Sequence, residues 1–196
     1  MTRAIFIDKD GTLVEDVPYN VDPARVRLTR GATRALGRLA RAGYALVIIT
    51  NQSGVARGLF PETAVEEIGR HLTRLLGDGG VPIAGFYFCP HLPDAVVPQY
   101  RLKCECRKPG PGLIRKASDE LDLAVEESWM IGDIATDVLA GQAAGCRTVL
   151  VNGDPDRELR KLRRMPTVVA PTLDHAADAL LWATESERRV SVQPSC

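Results

Sequence analysis

Residues 5–12 read Ile5-Phe6-Ile7-Asp8-Lys9-Asp10-Gly11-Thr12, an apolar run that ends in two carboxylates and a Gly-Thr turn. The apolar run is typical of a strand that is buried on both faces of a sheet. Two carboxylates close together at the end of such a strand are costly unless a cation balances them. Asp8 and Asp10 therefore indicate either a Mg²⁺ site, where a carboxylate could also attack phosphorus, or a solvated turn.

Five further apolar runs resemble strands, and helix-like segments lie between them. This alternation predicts a Rossmann-like, doubly wound α/β domain with a parallel sheet and helices on both faces. Ligands in such sheets bind beyond the carboxyl ends of the strands, where Asp8, Thr50, Cys89 and Asp133 fall. The predicted strands are 4–8, 45–50, 85–89, 129–132, 148–151 and 167–170, and the predicted helices are 31–42, 61–76, 111–121, 135–144 and 174–188.

Length and charge limit the classes of protein that remain. The 196 residues carry no formal net charge, so no general attraction to nucleic acid or acidic membranes is expected. No apolar stretch approaches the roughly 20 residues that span a bilayer, and the first residues do not resemble a signal peptide. We expect a cytoplasmic monomer without nucleic-acid or membrane partners, with one domain at 1–188 and a disordered tail at 189–196.

Three more segments have the residue types of a phosphate or metal site. Asp133 and Asp137 follow the fourth predicted strand one helical turn apart, so Asp133 either caps the next helix or completes a metal site. The other two segments offer hydroxyls, amides, cations and glycine turns that can cradle phosphate, although each alone would also fit a surface turn. They are Thr50-Asn51-Gln52-Ser53-Gly54 and Arg107-Lys108-Pro109-Gly110-Pro111-Gly112.

A group of cysteines and one histidine indicates a second metal site. Cys89 and His91 are separated by a twelve-residue gap from Cys104 and Cys106. Three thiolates and one imidazole satisfy tetrahedral zinc without an open position, which is typical of a structural site. In a reducing compartment this clustering favours a metal over disulfides, and free thiols beside an incidental histidine are the alternative.

Four motifs, taken together and in this order, resemble those of the haloacid dehalogenase superfamily of phosphotransferases over roughly residues 4–152. They are Asp8 with Asp10, Thr50, Lys108, and Asp133 with Asp137. The resemblance implies a Mg²⁺-dependent phosphatase in which Asp8 is the nucleophile and Asp10 the general acid and base. It implies that Thr50 and Lys108 hold the transferring phosphoryl oxygens. It also implies a Mg²⁺ site made by the Asp8 carboxylate, the Asp10 main-chain carbonyl and Asp133, with Asp137 behind these ligands.

The zinc loop at 89–106, directly before Arg107 and Lys108, narrows the resemblance to the heptose bisphosphate phosphatases and the related histidinol-phosphate phosphatases. The heptose branch implies removal of the 7-phosphate from D-glycero-D-manno-heptose 1,7-bisphosphate, a step toward lipopolysaccharide. One position departs from the family, which often has Lys where this chain has Ile134. By analogy with the family, the substrate contacts are Asp16, Tyr19, Asn51, Gln52, Ser53 and Arg107.

Only about 18 residues, 13–30, separate the first motif from the next predicted helix, which leaves no room for a large cap domain. We therefore expect an open site whose main wall is the zinc loop. The alternatives are a histidinol-phosphate or other small-metabolite phosphatase, a nucleic-acid 3′-phosphatase, and a non-enzymatic zinc-stabilised module that binds phosphate.

Overall fold

The computed structural model describes the backbone of residues 1–151 and 155–191, with side chains at 1–151 and 157–186. These residues form a six-stranded sheet in the order β3-β2-β1-β4-β5-β6, and all neighbouring strands are parallel. The strands are β1 (Ala4–Asp8), β2 (Ala45–Asn51), β3 (Gly85–Cys89), β4 (Trp129–Gly132), β5 (Arg147–Val151) and β6 (Val168–Ala170).

Helices connect the strands and cover both faces of the sheet. They are α1 (Ala32–Arg41), α2 (Ser53–Ala56), α3 (Glu62–Asp78), α4 (Gly112–Leu121), α5 (Ala135–Ala144), α6 (Pro155–Leu159) and α7 (Leu173–Ser191). Short 3₁₀ turns lie at Pro23–Arg25, Pro98–Tyr100 and Val125–Glu127.

The side chains of β1 show why the strands are apolar almost throughout. Ile5 and Ile7 point into a core that contains Leu36 of α1 and Leu72 of α3. Phe6, between them, packs on the opposite face in a core with residues of α4 and α5. A strand alternates its side chains between two faces, and here both faces are covered. The doubly wound α/β prediction is confirmed.

The register of the sheet brings the ends of three strands together. Asp8, the last residue of β1, pairs with Ile49 of β2, so Thr50 is the next residue along. On the other side of β1, Ile7 pairs with Ile131 of β4, two residues before Asp133. Because the central strand carries Asp8, the motifs of β2 and β4 flank it at one edge of the sheet.

Each predicted strand agrees with the observed one to within one residue at either end. The short helices α2 and α6 were not predicted, because helices of four and five residues carry too few apolar positions to show a period. The last helix extends to Ser191, into the segment predicted as a tail, and residues 192–196 lie outside the described residues. Over the described part, the segment 9–31 contains one 3₁₀ turn and no cap domain.

A search of the described helices finds none with the length and hydropathy needed to cross a membrane.

Candidate active site

The turn after β1 packs directly against the end of β4. Gly11 has a φ of 80°, a conformation that glycine adopts without steric cost, and a Cβ there would lie 2.4 Å from Asp133 Oδ2. The next side chain, Thr12, donates its hydroxyl to Asp133 Oδ1 at 3.0 Å. The Gly-Thr turn therefore sets the distance between the first and last carboxylate motifs.

Lys108 is the buried cation of the site. Its Nζ forms an ion pair with Asp8 Oδ1 and lies 2.6 Å from Asp137 Oδ1. Burial lowers the pKa of Lys108, but the carboxylates of Asp137 and Asp8 outweigh burial and hold the pKa above its usual value. The lysine is therefore charged, and its ammonium holds the carboxylates of Asp8 and Asp137 on either side of it.

Asn51 fixes the backbone that carries this lysine. Its Nδ2 donates to Lys108 O at 3.1 Å, and its Oδ1 accepts from Lys108 N at 3.0 Å. An amide side chain that bonds both backbone groups of one residue imitates a strand pair. The segment after β2 thus holds the segment before α4 in place.

Asp10 is held from two sides. One oxygen pairs with Lys9 Nζ, and the other accepts from Gln52 Nε2 at 3.0 Å. Gln52 Nε2 also donates to Thr50 Oγ1 at 2.9 Å. Gln52 was predicted as a substrate contact, and in this structure its amide bridges Asp10 and Thr50 at the wall of the site.

The carboxyl groups of Asp8 and Asp133 are shielded from solvent, and this burial raises their pKa values. Burial raises the pKa of Asp8 to about 7, against the lowering effect of Lys108. Burial, followed by the charge of Asp8, raises the pKa of Asp133 to about 6. Burial also raises the pKa of Asp137. Three carboxylates around one ammonium leave an excess of negative charge that a further cation would balance.

These residues fit a divalent cation. Ligand oxygens of Asp8, Asp133 and Asp137 all lie within 4.8 Å of one another. Hard oxygen ligands of this kind suit Mg²⁺, which takes one or two carboxylates together with oxygens of a substrate phosphate. Asp8 and Asp133 line a cavity in which an ion could lie, whereas the fully buried Asp137 is not part of that lining, so Asp8 and Asp133 are the side chains that could present an oxygen to the ion.

The predicted site residues line two adjoining cavities. The first, of about 210 Å³, lies above Asp8, and the second, of about 250 Å³, has mostly polar walls. Asp10, Asp16 and Asn51 belong to both cavities, which makes them one continuous site. The first cavity is also lined by Asp8, Thr50, Lys108, Asp133 and Ile134, and the second by Pro18, Tyr19, Asn20, Gln52, Ser53 and Gly54.

The positions of two side chains, Ile134 and Arg107, differ from what the family resemblance led us to expect of the substrate site. Ile134 is 44% exposed and forms an apolar part of the first cavity, where the family resemblance led us to look for a lysine. Arg107 was predicted as a substrate contact, but it is not among the described residues that line either cavity. Its Nη1 donates to His91 O at 3.4 Å, so the guanidinium lies beside the residues predicted to bind zinc.

The four predicted zinc ligands form a compact group, the Cys/His cluster. Cys89 Sγ lies 3.6 Å from His91 Nδ1 and 3.6 Å from Cys104 Sγ. Cys106 Sγ lies 3.3 Å from His91 Nδ1, 3.1 Å from Cys104 Sγ and 3.0 Å from Cys89 Sγ. Ligands of a tetrahedral zinc ion are separated by roughly 3.5–3.8 Å, so the cluster fits a small four-coordinate metal after slight expansion.

The thiol chemistry of the Cys/His cluster agrees with metal binding. A hydrogen bond with Cys89 lowers the pKa of Cys106 to about 5, despite partial burial. The same hydrogen bond, together with burial, raises the pKa of Cys89. A thiolate is the form that binds metal, and at least one is already favoured here.

Sequence reasoning missed the side chains that position the carboxylates. Thr12 and Lys9 were quoted within the first motif but were given no role. Glu158 of α6 was missed altogether, although its Oε2 accepts from Ala135 N at 2.8 Å. No local pattern marks Thr12 or Glu158, because each acts across a tertiary contact, and the contact of Lys9 with its neighbour Asp10 is defined only in the folded turn.

Comparison with known proteins agrees with this geometry. A family model of HAD-hydrolase-like proteins matches residues 105–176. The D-glycero-beta-D-manno-heptose-1,7-bisphosphate 7-phosphatase of Photorhabdus laumondii is 40% identical over 154 residues, 78% of this chain and 82% of that protein. The protein of the same name from Escherichia coli is 36% identical over 180 residues, 91% of this chain and 87% of that one.

A solved structure is similar over nearly the whole chain. It is the D,D-heptose 1,7-bisphosphate phosphatase of B. bronchiseptica complexed with magnesium and phosphate, with a TM-score of 0.79 and 32% identity. The similarity covers 92% of this chain and 99% of that chain. The chain belongs to the haloacid dehalogenase-like phosphatases, in the family of these heptose bisphosphate phosphatases. The family resemblance inferred from the four motifs is therefore confirmed, and so is the prediction that the protein is a phosphatase.

Proposed function

We propose that this phosphatase removes the 7-phosphate of D-glycero-D-manno-heptose 1,7-bisphosphate and leaves the anomeric phosphate in place. The observation that carries the proposal is Asp8 at the floor of a polar cavity, with Lys108 on one side and Asp133 on the other. The names of the relatives at 36–40% identity supply the substrate. Such a reaction serves the synthesis of lipopolysaccharide or another surface glycan that contains heptose.

In the proposed reaction, a carboxylate oxygen of Asp8 attacks phosphorus in line with the sugar oxygen that leaves. The Asp8–phosphorus bond forms while the phosphorus–sugar oxygen bond breaks, and Asp10 gives its proton to the leaving oxygen. Asp10 then takes a proton from water, whose oxygen attacks phosphorus and releases Asp8. Lys9 and Gln52 hold the Asp10 carboxylate in place for both proton transfers.

The transferring phosphoryl group carries its charge on oxygens that need positive partners. Lys108 and the Thr50 hydroxyl, both in the first cavity, are the proposed partners from this chain. Asp8, the Asp10 main-chain carbonyl and Asp133 would hold Mg²⁺. When bound, Mg²⁺ neutralises phosphoryl oxygens and keeps the Asp8 carboxylate ionised.

The second cavity offers a place for the rest of the substrate. It adjoins the first at Asp10, and its polar lining suits the hydroxyls of a sugar. Asp16, Tyr19 and Ser53 are proposed to contact the heptose. Arg107 is proposed to reach the substrate from the Cys/His cluster, since an arginine fork suits the second phosphate.

The proposed structural metal is Zn²⁺ in the Cys/His cluster, where it would order the segment that leads into Arg107 and Lys108. We propose that the enzyme works as a monomer, because all residues proposed for the reaction come from one chain. Free thiols in a metal site suit a reducing compartment, so the cytoplasm is the proposed place of action.

The test is phosphate release with Mg²⁺ from both anomers of heptose 1,7-bisphosphate and from histidinol phosphate, measured side by side. We expect kcat/KM for one heptose bisphosphate to exceed that for histidinol phosphate about 100-fold, or roughly 2.7 kcal/mol of transition-state preference. A preference for histidinol phosphate would contradict the heptose assignment and leave the phosphatase class intact.

A further inference from the structure

The first turn of α5 carries the end of the last carboxylate motif, and three contacts hold it. Asp137 Oδ2 accepts from Ile134 N at 3.2 Å, and Thr12 Oγ1 donates to Asp133 Oδ1 at 3.0 Å. The third contact comes from outside the four motifs, because Glu158 Oε2 accepts from Ala135 N at 2.8 Å. Two of the free N–H groups at the start of α5 are thus bonded by carboxylates.

Glu158 has the surroundings of an anchored carboxylate. It is 6% exposed, and the Ala135 amide to which it bonds belongs to a residue that is 4% exposed. Lys161 Nζ forms an ion pair with its other oxygen, Oε1, and Arg157 Nε lies 4.0 Å from the same oxygen. One oxygen is therefore held by cations from its own segment, and the other reaches the start of α5.

Loss of this contact has few ways to be absorbed locally. Ala135 N would become a buried donor without a partner, which is unfavourable because the group has already lost its contact with water. The turn is also tightly packed, since a Cβ on Gly132 would lie 2.3 Å from Asp137 Cγ. Asp133 and Ile134, the residues between these anchors, would then depend on the remaining contacts, among them the hydrogen bonds from Thr12 and to Asp137.

We infer that Glu158 is a positioning residue for the proposed magnesium site, which it serves by fixing the turn that presents Asp133. The inference rests on the proposed function, because Asp133 is there a ligand of Mg²⁺. Among the described residues, Glu158 is not part of the lining of either cavity, and it acts through the Ala135 amide. It gives α6 a role in the site that the four motifs do not contain.

The test compares Glu158→Ala, Glu158→Gln and Arg160→Gln by calorimetric titration with Mg²⁺ alone. Residues that orient metal ligands typically change metal affinity about 10- to 100-fold when removed, so we expect Glu158→Ala to bind Mg²⁺ about 10-fold more weakly. Glu158→Gln keeps an oxygen for Ala135 N and should lie between Glu158→Ala and wild type. Arg160→Gln, the matched control, changes an exposed cation of the same segment, leaves the contacts of Glu158 with Lys161 and Ala135 in place, and should bind as wild type does.

A second readout separates positioning from mere stability. We expect the activity of Glu158→Ala to recover at high Mg²⁺, whereas a folding defect would persist at every Mg²⁺ concentration. A folded Glu158→Ala variant with the Mg²⁺ affinity of wild type would overturn the inference. If wild type itself bound no Mg²⁺, the proposed function would fail first, and the inference with it.

If Glu158→Ala does not fold, hydrogen exchange of peptide 129–138 in Glu158→Gln decides the question. A neutral amide accepts a weaker hydrogen bond than a carboxylate does, so exchange there should be faster than in Arg160→Gln. Equal exchange rates in the two variants would overturn the inference.

Discussion

Lys108 is the residue on which the charge balance of the site depends. It is 4% exposed, and its ammonium lies between Asp8 and Asp137, which are 6% and 0% exposed. Buried charges of this kind are tolerated only as a set, because each one alone would have to be desolvated without a partner. The same lysine that is proposed to bind phosphate therefore also holds the folded state together.

Replacement of Lys108 by methionine should destabilise the protein strongly. Removal of one partner from a buried ion pair costs roughly 3–5 kcal/mol, because the remaining charge stays buried. The measurement is urea denaturation at neutral pH in the absence of added metal. Lys116→Met is the matched control: its side chain is 62% exposed, and a surface substitution should change the free energy of unfolding by no more than about 0.5 kcal/mol. A loss below about 1 kcal/mol for Lys108→Met would contradict the account.

At this scale the sequence reveals the residues that end strands and not the ones that support them. Asp8 and Asp133 could be found because each follows an apolar run. The role of Thr12 depends on the close approach of Gly11 to Asp133, where a Cβ on residue 11 would lie 2.4 Å from Asp133 Oδ2, and only the folded chain defines that approach. In the same way, nothing in the sequence places the amide of Gln52 between Asp10 and Thr50.

The segment between β3 and α4 joins the Cys/His cluster to the site. Cys89 ends β3, and its carbonyl accepts from Gln52 N at 2.8 Å. At the other end of the segment, Cys106 is followed directly by Arg107 and Lys108. Order imposed on the cluster by a metal would therefore reach Lys108 in the first cavity and Gln52 in the second.

Zinc content is the direct test of this element. We expect about one Zn²⁺ per chain by elemental analysis, since four ligands of this type complete one tetrahedral site. Cys104→Ser should lose the zinc and melt at least about 5 °C lower, which corresponds to more than about 1 kcal/mol for a chain of this size. Cys146→Ser, which changes a buried thiol outside the cluster, should keep its zinc. Wild-type protein without zinc would contradict the assignment of the cluster.

Helices α1 and α7 are joined on the outside of one layer by two ion pairs. Arg34 Nε lies 3.0 Å from Asp174 Oδ1, and Arg38 Nη2 lies 2.6 Å from Asp178 Oδ1. The hydrogen bond from Arg34 holds the pKa of Asp174 below its usual value. A carboxyl with a lowered pKa stabilises the folded state above its ordinary pKa, and this stability is lost as the pH falls through the folded-state pKa.

Asp174→Asn should therefore cost a small, pH-dependent amount of stability. Arg34 is 72% exposed, so screening by solvent limits the effect to about 0.5–1 kcal/mol at neutral pH. The difference from wild type in thermal unfolding should be constant from neutral pH down to about pH 4 and shrink below it. A difference that grew with acid would have the wrong sign for this ion pair.

Among the elements, those with a clear apolar period could be predicted, and those held by tertiary contacts could not. Helix α5 was predicted at the bounds that the structure has, 135–144. Helix α6 has five residues, too few for a period, and it docks through the contact of Glu158 with α5. The extension of α7 to Ser191 crosses a polar stretch of sequence that predicts no ordered structure.

At the scale of the whole molecule, the parallel sheet explains how distant residues form one site. Residues 8, 50, 108 and 133 line one cavity, although about 25 to 60 positions separate each of them from the next along the chain. Parallel strands place all their carboxyl ends at one edge, and β1 at the centre lies between β2 and β4. The convergence of Asp8, Thr50 and Asp133 could be predicted from the strand assignments. Lys108 follows no strand and is placed by the hydrogen bonds of its backbone to Asn51, and the walls of the second cavity depend on the path of the loop at 16–20.

The most direct test of the account is release of phosphate from heptose 1,7-bisphosphate by wild type and by Asp8→Asn, followed by ³¹P NMR. We predict that wild type with Mg²⁺ loses the 7-phosphate signal and keeps the anomeric one, and that chelation of Mg²⁺ stops the reaction. Asp8→Asn, which lacks the proposed nucleophile, should be slower by at least about 10³-fold. Equal rates for wild type and Asp8→Asn, or loss of the anomeric phosphate first, would contradict the central claim.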